Sequence, residues 1–263
     1  MPTIVKSGAT KPNAATVLWQ AITPTVTETG SVVSGYPAIN LIDPATWSSW
    51  LGDGIGRAAV YDFGAATVCS GFGIAAHNMA SSSAAYSVQY SNDTVLWTTV
   101  HSETPSTDDD IFCIFPNVSA RYWRLYFAGD PASVGVFTVG NRLTFPHSPV
   151  ADYKPLHHAR QYTKMFNDSI GGQFLGTRVM SVGAETDVNM GFFDRSWLET
   201  NIRSFEYHYN QGGCFFFAGS PSIYSLDVGY CRARGENDTL NIQWTEADKL
   251  ATLEFGIRSY VGG

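Results

Sequence analysis

Short stretches in which hydrophobic and polar residues alternate recur along the whole chain. Residues 86–90 and 121–127 have this period of two, and so do residues 240–244 and 252–257. Such a period is typical of half-buried strands, and the Gly, Pro and Asn-Asp punctuation between them favours antiparallel connections. The pattern therefore predicts an all-β protein.

Two segments predict short helices instead. Asp43 followed by Pro44 offers an N-cap with proline at the first helical position. Residues 194–202 have the length and spacing of two helical turns. We expect no longer helix.

Shifts in composition divide the chain. Residues 1–33 are rich in Ala, Thr, Val and Pro and predict an N-terminal arm or peripheral strands. Residues 34–147 form a first domain in this interpretation, residues 148–160 a linker, and residues 161–263 a second β-rich domain.

Composition limits the classes of function. The chain has 263 residues, 44% of them hydrophobic and only 15% charged, so it can bury a large core. Its net charge of −7 argues against a nucleic-acid surface.

Apolar runs stay far below the roughly 20 residues that span a bilayer, and the first residues contain no apolar signal-peptide core. The four cysteines form no Cys-x-x-Cys pair, which predicts free and mostly buried thiols in a reducing cytoplasm.

The order of features in residues 36–145 resembles the discoidin, or coagulation-factor C-type, family of galactose-binding-like jelly rolls. The features are Tyr36 to Asp43, Thr46-Trp47, Val60 to Gly64, Ser70 to Asn78, Tyr86 to Asp93, Trp97 to Val100, and Ala120 to Leu125. The resemblance implies a jelly-roll β-sandwich with loops at one end that bind a sugar or a lipid headgroup.

A sugar site pairs an aromatic platform with polar groups that fix hydroxyls. The candidates in this chain are Trp47, Trp50, His77, Asn78 and Trp97. A helical turn would place Trp47 and Trp50 on one face. Alternatively, both tryptophans fill the core, and His77-Asn78 caps its strand.

The same resemblance implies a structural calcium near an Asn-x-x-Asp segment. Asn40 and Asp43 stand at the matching positions and Thr46 follows, but Pro44-Ala45 departs from the family pattern of a glycine and a polar residue. Calcium requires 6–8 oxygen ligands, many of them backbone carbonyls. The alternative is a helix cap at Asp43.

The second domain extends the resemblance to tail proteins of long-tailed bacteriophages, of the distal-tail type. The segments that carry it are Gly172 to Arg178, Gly213 to Ala218, Val228 to Tyr230, Ile74 to Asn78 and Gly135 to Leu143. It implies a structural subunit of a tail tip or baseplate, built into a ring with other copies and other tail proteins. The virion would be its location and host-surface polysaccharide a possible ligand. The alternative is a carbohydrate-binding module without a structural role.

Motifs of common enzymes are missing from the sequence, which predicts a protein without catalytic activity. There is no Gly-x-Ser-x-Gly elbow, no His-Glu-x-x-His and no phosphate loop. His157-His158 suggests a metal or base site, but adjacent residues on a strand point to opposite faces and could not both bind one ion there. In the predicted linker we expect neither histidine to have a functional role.

Three predictions concern the scaffold. Arg121 or Arg124 pairs with Asp62 across strands, and residues 108–110 form a solvated acidic loop, with a metal site as the alternative. Residues 215–217, three consecutive phenylalanines, form a strand that is buried on both faces or, alternatively, at a subunit interface.

Overall fold

The computed structural model describes residues 3–6, 8–150, 152–245 and 250–261. Strands dominate, as the alternating pattern predicts. The strands are β1 (Thr3–Lys6), β2 (Thr16–Leu18), β3 (Thr25–Glu28), β4 (Arg57–His77), β5 (Tyr86–Ser91), β6 (Thr98–Glu103), β7 (Ile111–Phe127), β8 (Val134–Gly140), β9 (Leu143–Thr144), β10 (Arg160–Asp168), β11 (Phe174–Asp194), β12 (Phe215–Ala218), β13 (Val228–Ala233), β14 (Asn241–Thr245) and β15 (Leu250–Ser259). The helices are a 3₁₀ helix at Ala38–Ile42, α1 (Arg195–Asn201) and α2 (Arg203–Asn210).

The first unit is a sandwich whose two layers share the long strands β4 and β7. One layer contains β3, the first half of β4, the second half of β7, β5 and β6. The other contains β8, the second half of β4, the first half of β7 and the parallel strand β1. The register of β4 on β7 shifts between Asp62 and Thr67, where Gly64 has a positive φ of 75°. Glycine adopts that conformation without strain, so the strand crosses from one layer to the other there.

Aromatic side chains fill the space between the layers. Tyr61 on β4 donates a hydrogen bond of 2.7 Å to the carbonyl of Phe137 on β8, and the two rings lie 5.1 Å apart. Trp123 and Phe115, from the two halves of β7, also pack together at 5.6 Å. These contacts fix the jelly roll from which the loops of the candidate site project.

The second unit is an eight-stranded sheet with strand order β10-β11-β15-β13-β12-β2-β9, and β14 pairs with β15. Helices α1 and α2 cover one face through Leu198, Ile202, Phe205 and Tyr209. The helix predicted over residues 194–202 is confirmed, with Asp194 at its N-cap position. Helix α2 was not predicted.

The strand of three phenylalanines is buried on both faces, as predicted. Phe215 and Phe217 pack in the core beneath the helices, whereas Phe216 faces the jelly roll with Phe112 and Val136. All three side chains are fully buried. A Cβ on Gly73 would collide with the Phe216 ring, so glycine at that position allows the two units to approach closely.

The predicted N-terminal arm is divided between the two sheets. Strands β1 and β3 join the jelly roll, but β2 lies between β12 and β9 in the second sheet. The predicted linker contributes Leu156 to the second core and begins β10 at Arg160. Pairing over more than 120 residues of sequence cannot be read from local composition.

The hairpin of β10 and β11 extends beyond the second sheet. Strand β11 pairs with β15 only from Ala184 onward, so residues 160–183 pair only within the hairpin. Nine large apolar side chains of this hairpin are exposed: Tyr162, Met165, Phe166, Ile170, Phe174, Leu175, Val179, Met180 and Val182.

The predicted state of the cysteines is confirmed, because all four are free and Cys69, Cys113 and Cys231 are buried. Within the part of the chain that the structure describes, no helix is both long enough and apolar enough to cross a membrane.

Candidate functional site

Trp47 is the most exposed aromatic ring among the candidates, with 87% of its surface accessible. It lies in the loop between the 3₁₀ helix and Trp50. The helix predicted to begin at Asp43 does not form, and the 3₁₀ helix Ala38–Ile42 ends there instead. Asp43 precedes a proline, which disfavours helical backbone, and its φ and ψ of −71° and 127° are extended.

Hydrogen bonds hold this loop at several points. Asp43 Oδ1 accepts from the backbone N–H of Ala45 at 2.9 Å, and Ser48 Oγ donates to the Ala45 carbonyl at 3.1 Å. Asn40 Nδ2 donates to the Ser49 carbonyl at 2.7 Å. The Trp47 ring is therefore displayed on a fixed loop rather than on a free end.

Beneath Trp47 lies a cavity of about 440 Å³ between the jelly roll and the second sheet. The loop supplies one wall through residues 44–47, and β13 and β15 supply the other. The opposite wall contains Cys214, Tyr230, Arg232, Arg258, Ser259 and Tyr260. Tyr230 joins the walls by donating a 3.3 Å hydrogen bond from its hydroxyl to the Pro44 carbonyl.

Burial keeps two of the ionisable groups of this cavity neutral. It raises the pKa of the Cys214 thiol and also that of the Tyr230 hydroxyl. The arginines therefore carry the charge of the cavity wall.

Trp50 lies in the core rather than beside Trp47. It is fully buried, its backbone pairs with Val134 at 2.8 and 3.0 Å, and its ring packs on Phe127 at 5.8 Å. The prediction that a helical turn aligns Trp47 with Trp50 is wrong, because residues 46–47 form a turn, residues 48–49 have no regular structure, and Trp50 forms a β-bridge. Trp50 therefore has no surface to offer a sugar.

His77 and Asn78 tie loops together. His77 is 6% exposed, and its Nε2 lies 2.9 Å from the Asp109 carbonyl. Burial lowers the pKa of His77 to about 4, although Asp108 opposes this shift. Asn78 is exposed, but its Oδ1 accepts from the Ser133 N–H at 2.8 Å. This arrangement is that of the capping alternative.

The acidic run at residues 108–110 is not a solvated loop. Asp108 accepts hydrogen bonds from the backbone N–H of Ala80 at 2.7 Å and from the hydroxyl and N–H of Ser81. Asp110 is 6% exposed and accepts from the Tyr230 N–H at 2.8 Å, between the two units. Both carboxylates are therefore structural acceptors.

Trp97 is half-buried on the outer layer of the jelly roll, far along the chain from the cavity residues. The guanidinium of Arg124 lies over its ring at 4.1 Å, and its Nε1 donates to the Thr94 carbonyl at 3.0 Å. One face of Trp97 is therefore already covered. Arg121, rather than Arg124, makes the predicted pair with Asp62, at 2.7 and 2.8 Å.

The residues at the predicted calcium position do not fit that ion. Asp43 is the one carboxylate of Asn40, Asp43 and Thr46, and Asn40 uses its amide nitrogen toward Ser49. Among the described residues, no three His, Cys, Asp or Glu side chains cluster so as to hold a metal. A calcium ion would require several carboxylate or carbonyl oxygens at one point.

His157 and His158 lie in a turn within the predicted linker, so the strand geometry that would separate their side chains does not apply. Their Nε2 atoms lie 2.5 and 3.1 Å from the hydroxyl of Tyr224, and the His157 ring stacks on the Tyr224 ring. One hydroxyl serves both Nε2 atoms by donating one proton and accepting another.

Residues 25–137 match the family model of the F5/8 type C domain. The chain thus contains a discoidin-like jelly roll followed by a second antiparallel β domain, which is the fold class that the sequence predicts. The comparison with curated proteins gives no match.

Solved structures resemble the jelly-roll part of the chain. One is chitosan-binding module 2, in complex with chitotriose, of a chitosanase/glucanase from Paenibacillus sp. IK-5. It is 22% identical, covers 46% of this chain and 98% of its own, and has a TM-score of 0.40. Another is CpGH89CBM32-5 from Clostridium perfringens, in complex with GalNAc-β-1,3-galactose. It is 14% identical, covers 44% of this chain and 94% of its own, and has a TM-score of 0.39.

Sequence reasoning identified Trp47 but missed the opposite wall. Arg232, Arg258 and Tyr260 follow Trp47 by more than 180 residues, in the other domain. The pairing of β13 with β15 places them together. Their alternation on two strands was visible in the sequence, but nothing local indicated that this face meets the Trp47 loop.

Proposed function

We propose that this protein binds carbohydrate in the cavity beneath Trp47 and has no catalytic activity. The observation that carries the proposal is an indole ring, 87% exposed, on a fixed loop above a cavity of about 440 Å³. An aromatic ring held at the mouth of a cavity is the kind of group that lines ligand sites, together with a few polar groups.

The chemistry of the cavity suits a sugar. The flat indole offers an apolar platform to the C–H face of a pyranose, and polar groups on the opposite wall offer hydrogen bonds to hydroxyls. Tyr260 supplies such a group. Because the loop is hydrogen-bonded already, little ordering accompanies binding, which favours affinity.

The test is binding of the full chain to a glycan array, followed by titration calorimetry on the best ligands. Trp47→Ala should abolish binding, because it removes the platform. Trp97→Ala is the matched control, since Trp97 belongs to the same jelly roll but lies under Arg124. Loss of binding in Trp97→Ala but not in Trp47→Ala would move the site to the outer layer and overturn this assignment. Bound glycans recovered unchanged would support the non-catalytic role.

A second candidate function is that of a structural subunit in a bacteriophage tail tip or baseplate, where the protein would pack into a ring with its own copies and with other tail proteins. The observation that favours it is the projecting hairpin of residues 160–183. A two-stranded hairpin is marginally stable alone, and its apolar side chains have no cover within the described chain. Contacts with other subunits in the virion would supply that cover.

Light scattering of the full chain tests this candidate. Phe166→Ser and Phe174→Ser change side chains that are 68% and 92% exposed, so folding should persist while self-association weakens. A chain that stays monomeric at every concentration and is absent from purified virions would refute the structural role and leave the sugar site as it stands.

A further inference from the structure

Two arginines lie side by side on the cavity wall. In the antiparallel pairing of β13 with β15, Arg232 is directly opposite Arg258. Side chains at directly opposite positions share one face and lie about 4.5–5.5 Å apart at Cβ, where like charges repel. A negative charge near the two guanidinium groups would offset this repulsion.

Only one of the two has such a charge within the described chain. Arg258 Nη1 lies 3.4 Å from Glu185 Oε1 on the next strand. Arg234, the residue that follows β13, is paired with Asp187 at 2.6 Å. No carboxylate among the described residues forms an ion pair with Arg232. The Arg232 side chain is exposed, so an anion in solution can reach it.

The cavity lining has the opposite charge balance from the protein as a whole. The chain contains 23 acidic and 16 basic residues and has a net charge of −7. The described residues that line the cavity include both arginines and no Asp or Glu. A polyanion is repelled by the protein at long range, so any attraction to one must be local to this wall.

We propose that the ligand of this cavity is an acidic saccharide, whose ring carboxylate or phosphate binds Arg232 and Arg258 while the sugar face stacks on Trp47. This inference rests on the proposed carbohydrate function and names its substrate class. A guanidinium donates two parallel N–H bonds to a carboxylate or phosphate, which fixes the ring orientation as well as the charge. Trp47 and Arg232 come from different domains, so both domains are required for the site.

The experiment uses the full chain and matched pairs of oligosaccharides. Each uronate-containing or phosphate-bearing glycan is compared with its neutral counterpart of the same linkage. We expect the acidic member of a pair to bind at least about tenfold tighter, as charge-assisted hydrogen bonds imply. The uronate and phosphate arms identify which anion is preferred. At about 1 M salt, where screening acts within about 3 Å, the preference should shrink.

Arg232→Gln separates the two hypotheses. It should reduce the acidic preference to about threefold or less while binding of the neutral glycan is retained. Its melting temperature should not fall, because no ion pair of the described chain is lost and a like-charge contact is relieved. Arg203→Gln is the control, since it changes the charge equally but lines no part of this cavity.

The outcomes are distinct. Equal binding of acidic and neutral glycans, or an acidic preference unchanged in Arg232→Gln, overturns the inference while Trp47-dependent sugar binding stands. If no glycan binds, or Trp47→Ala binds as the parent does, the proposed carbohydrate site fails and this inference fails with it.

Discussion

Two loops of the jelly roll carry residues typical of sugar sites, and their polar groups are used in opposite ways. At the His77-Asn78 loop, hydrogen bonds within the protein engage His77, Asn78 and Asp108. At the Trp47 loop, the hydrogen bonds hold the backbone and leave the indole ring uncovered. Residue type alone does not distinguish a binding group from a structural one; what matters is whether its bonding capacity is already used.

The tryptophans at positions 47 and 50 give the largest predicted contrast. Trp50→Ala removes a fully buried ring and should lower the free energy of unfolding by about 3–5 kcal/mol. Trp47→Ala should change it by less than about 0.5 kcal/mol, because the ring packs against little. Urea unfolding of both variants measures the difference. Equal losses would mean that Trp47 is a packing residue and would remove the basis of the binding site.

Asp110 provides a pH-dependent test of the contact between the two units. Burial raises its pKa to about 7, against an ordinary value of 3.8. Between those values the folded chain keeps a proton that the unfolded chain has lost, so this contribution to stability falls as pH rises from about 4 to about 7. Asp110→Asn keeps an acceptor for the Tyr230 N–H and should be the more stable protein above pH 7, by on the order of 2–4 kcal/mol.

The measurement is the free energy of unfolding of Asp110→Asn minus that of the parent protein, from thermal or urea unfolding at several pH values. The difference is needed because His77, with its pKa lowered to about 4, gives a slope of opposite sign between about pH 4 and 6.5. A difference that does not vary between pH 4 and 8 would contradict the assignment of Asp110 as a buried, protonated acceptor.

Replacing Asp108 should have a smaller effect on stability, and it tests the difference between the His77-Asn78 loop and the Trp47 loop. Burial acts to raise its pKa, but hydrogen bonds from Ser81 and Ala80 outweigh that effect and the pKa is lowered. Asp108→Ala removes the acceptor of the Ala80 and Ser81 groups and should cost about 0.5–1.5 kcal/mol of stability, because the Ser81 donors are exposed to water. Calorimetric titration with the best glycan should show unchanged affinity. A loss of binding in a variant that still folds would make the His77 loop the functional one.

The sequence predicts local periodicity well and long-range neighbours poorly. The alternation of residues 215–217 and the helix at 194–202 were predictable, because each follows from strand or helix geometry. The partner of Asp62 was predictable only as Arg121 or Arg124. The position of Trp50 was not, because its pairing with Val134 spans 84 residues. The cavity was not predictable either, since its walls belong to different domains.

The position of strand β2 determines whether the two domains can be separated. It lies in the second sheet beside β9, and nearly the whole jelly roll is inserted between these two neighbours. Strand β1, still earlier in the chain, belongs to the jelly roll. During synthesis, residues 16–18 emerge about 200 residues before their partners at 216–218. Neither domain can therefore be cut out at one point near residue 150 and remain whole. A graft of the jelly roll with its proposed sugar site onto another protein would have to carry the entire interleaved chain.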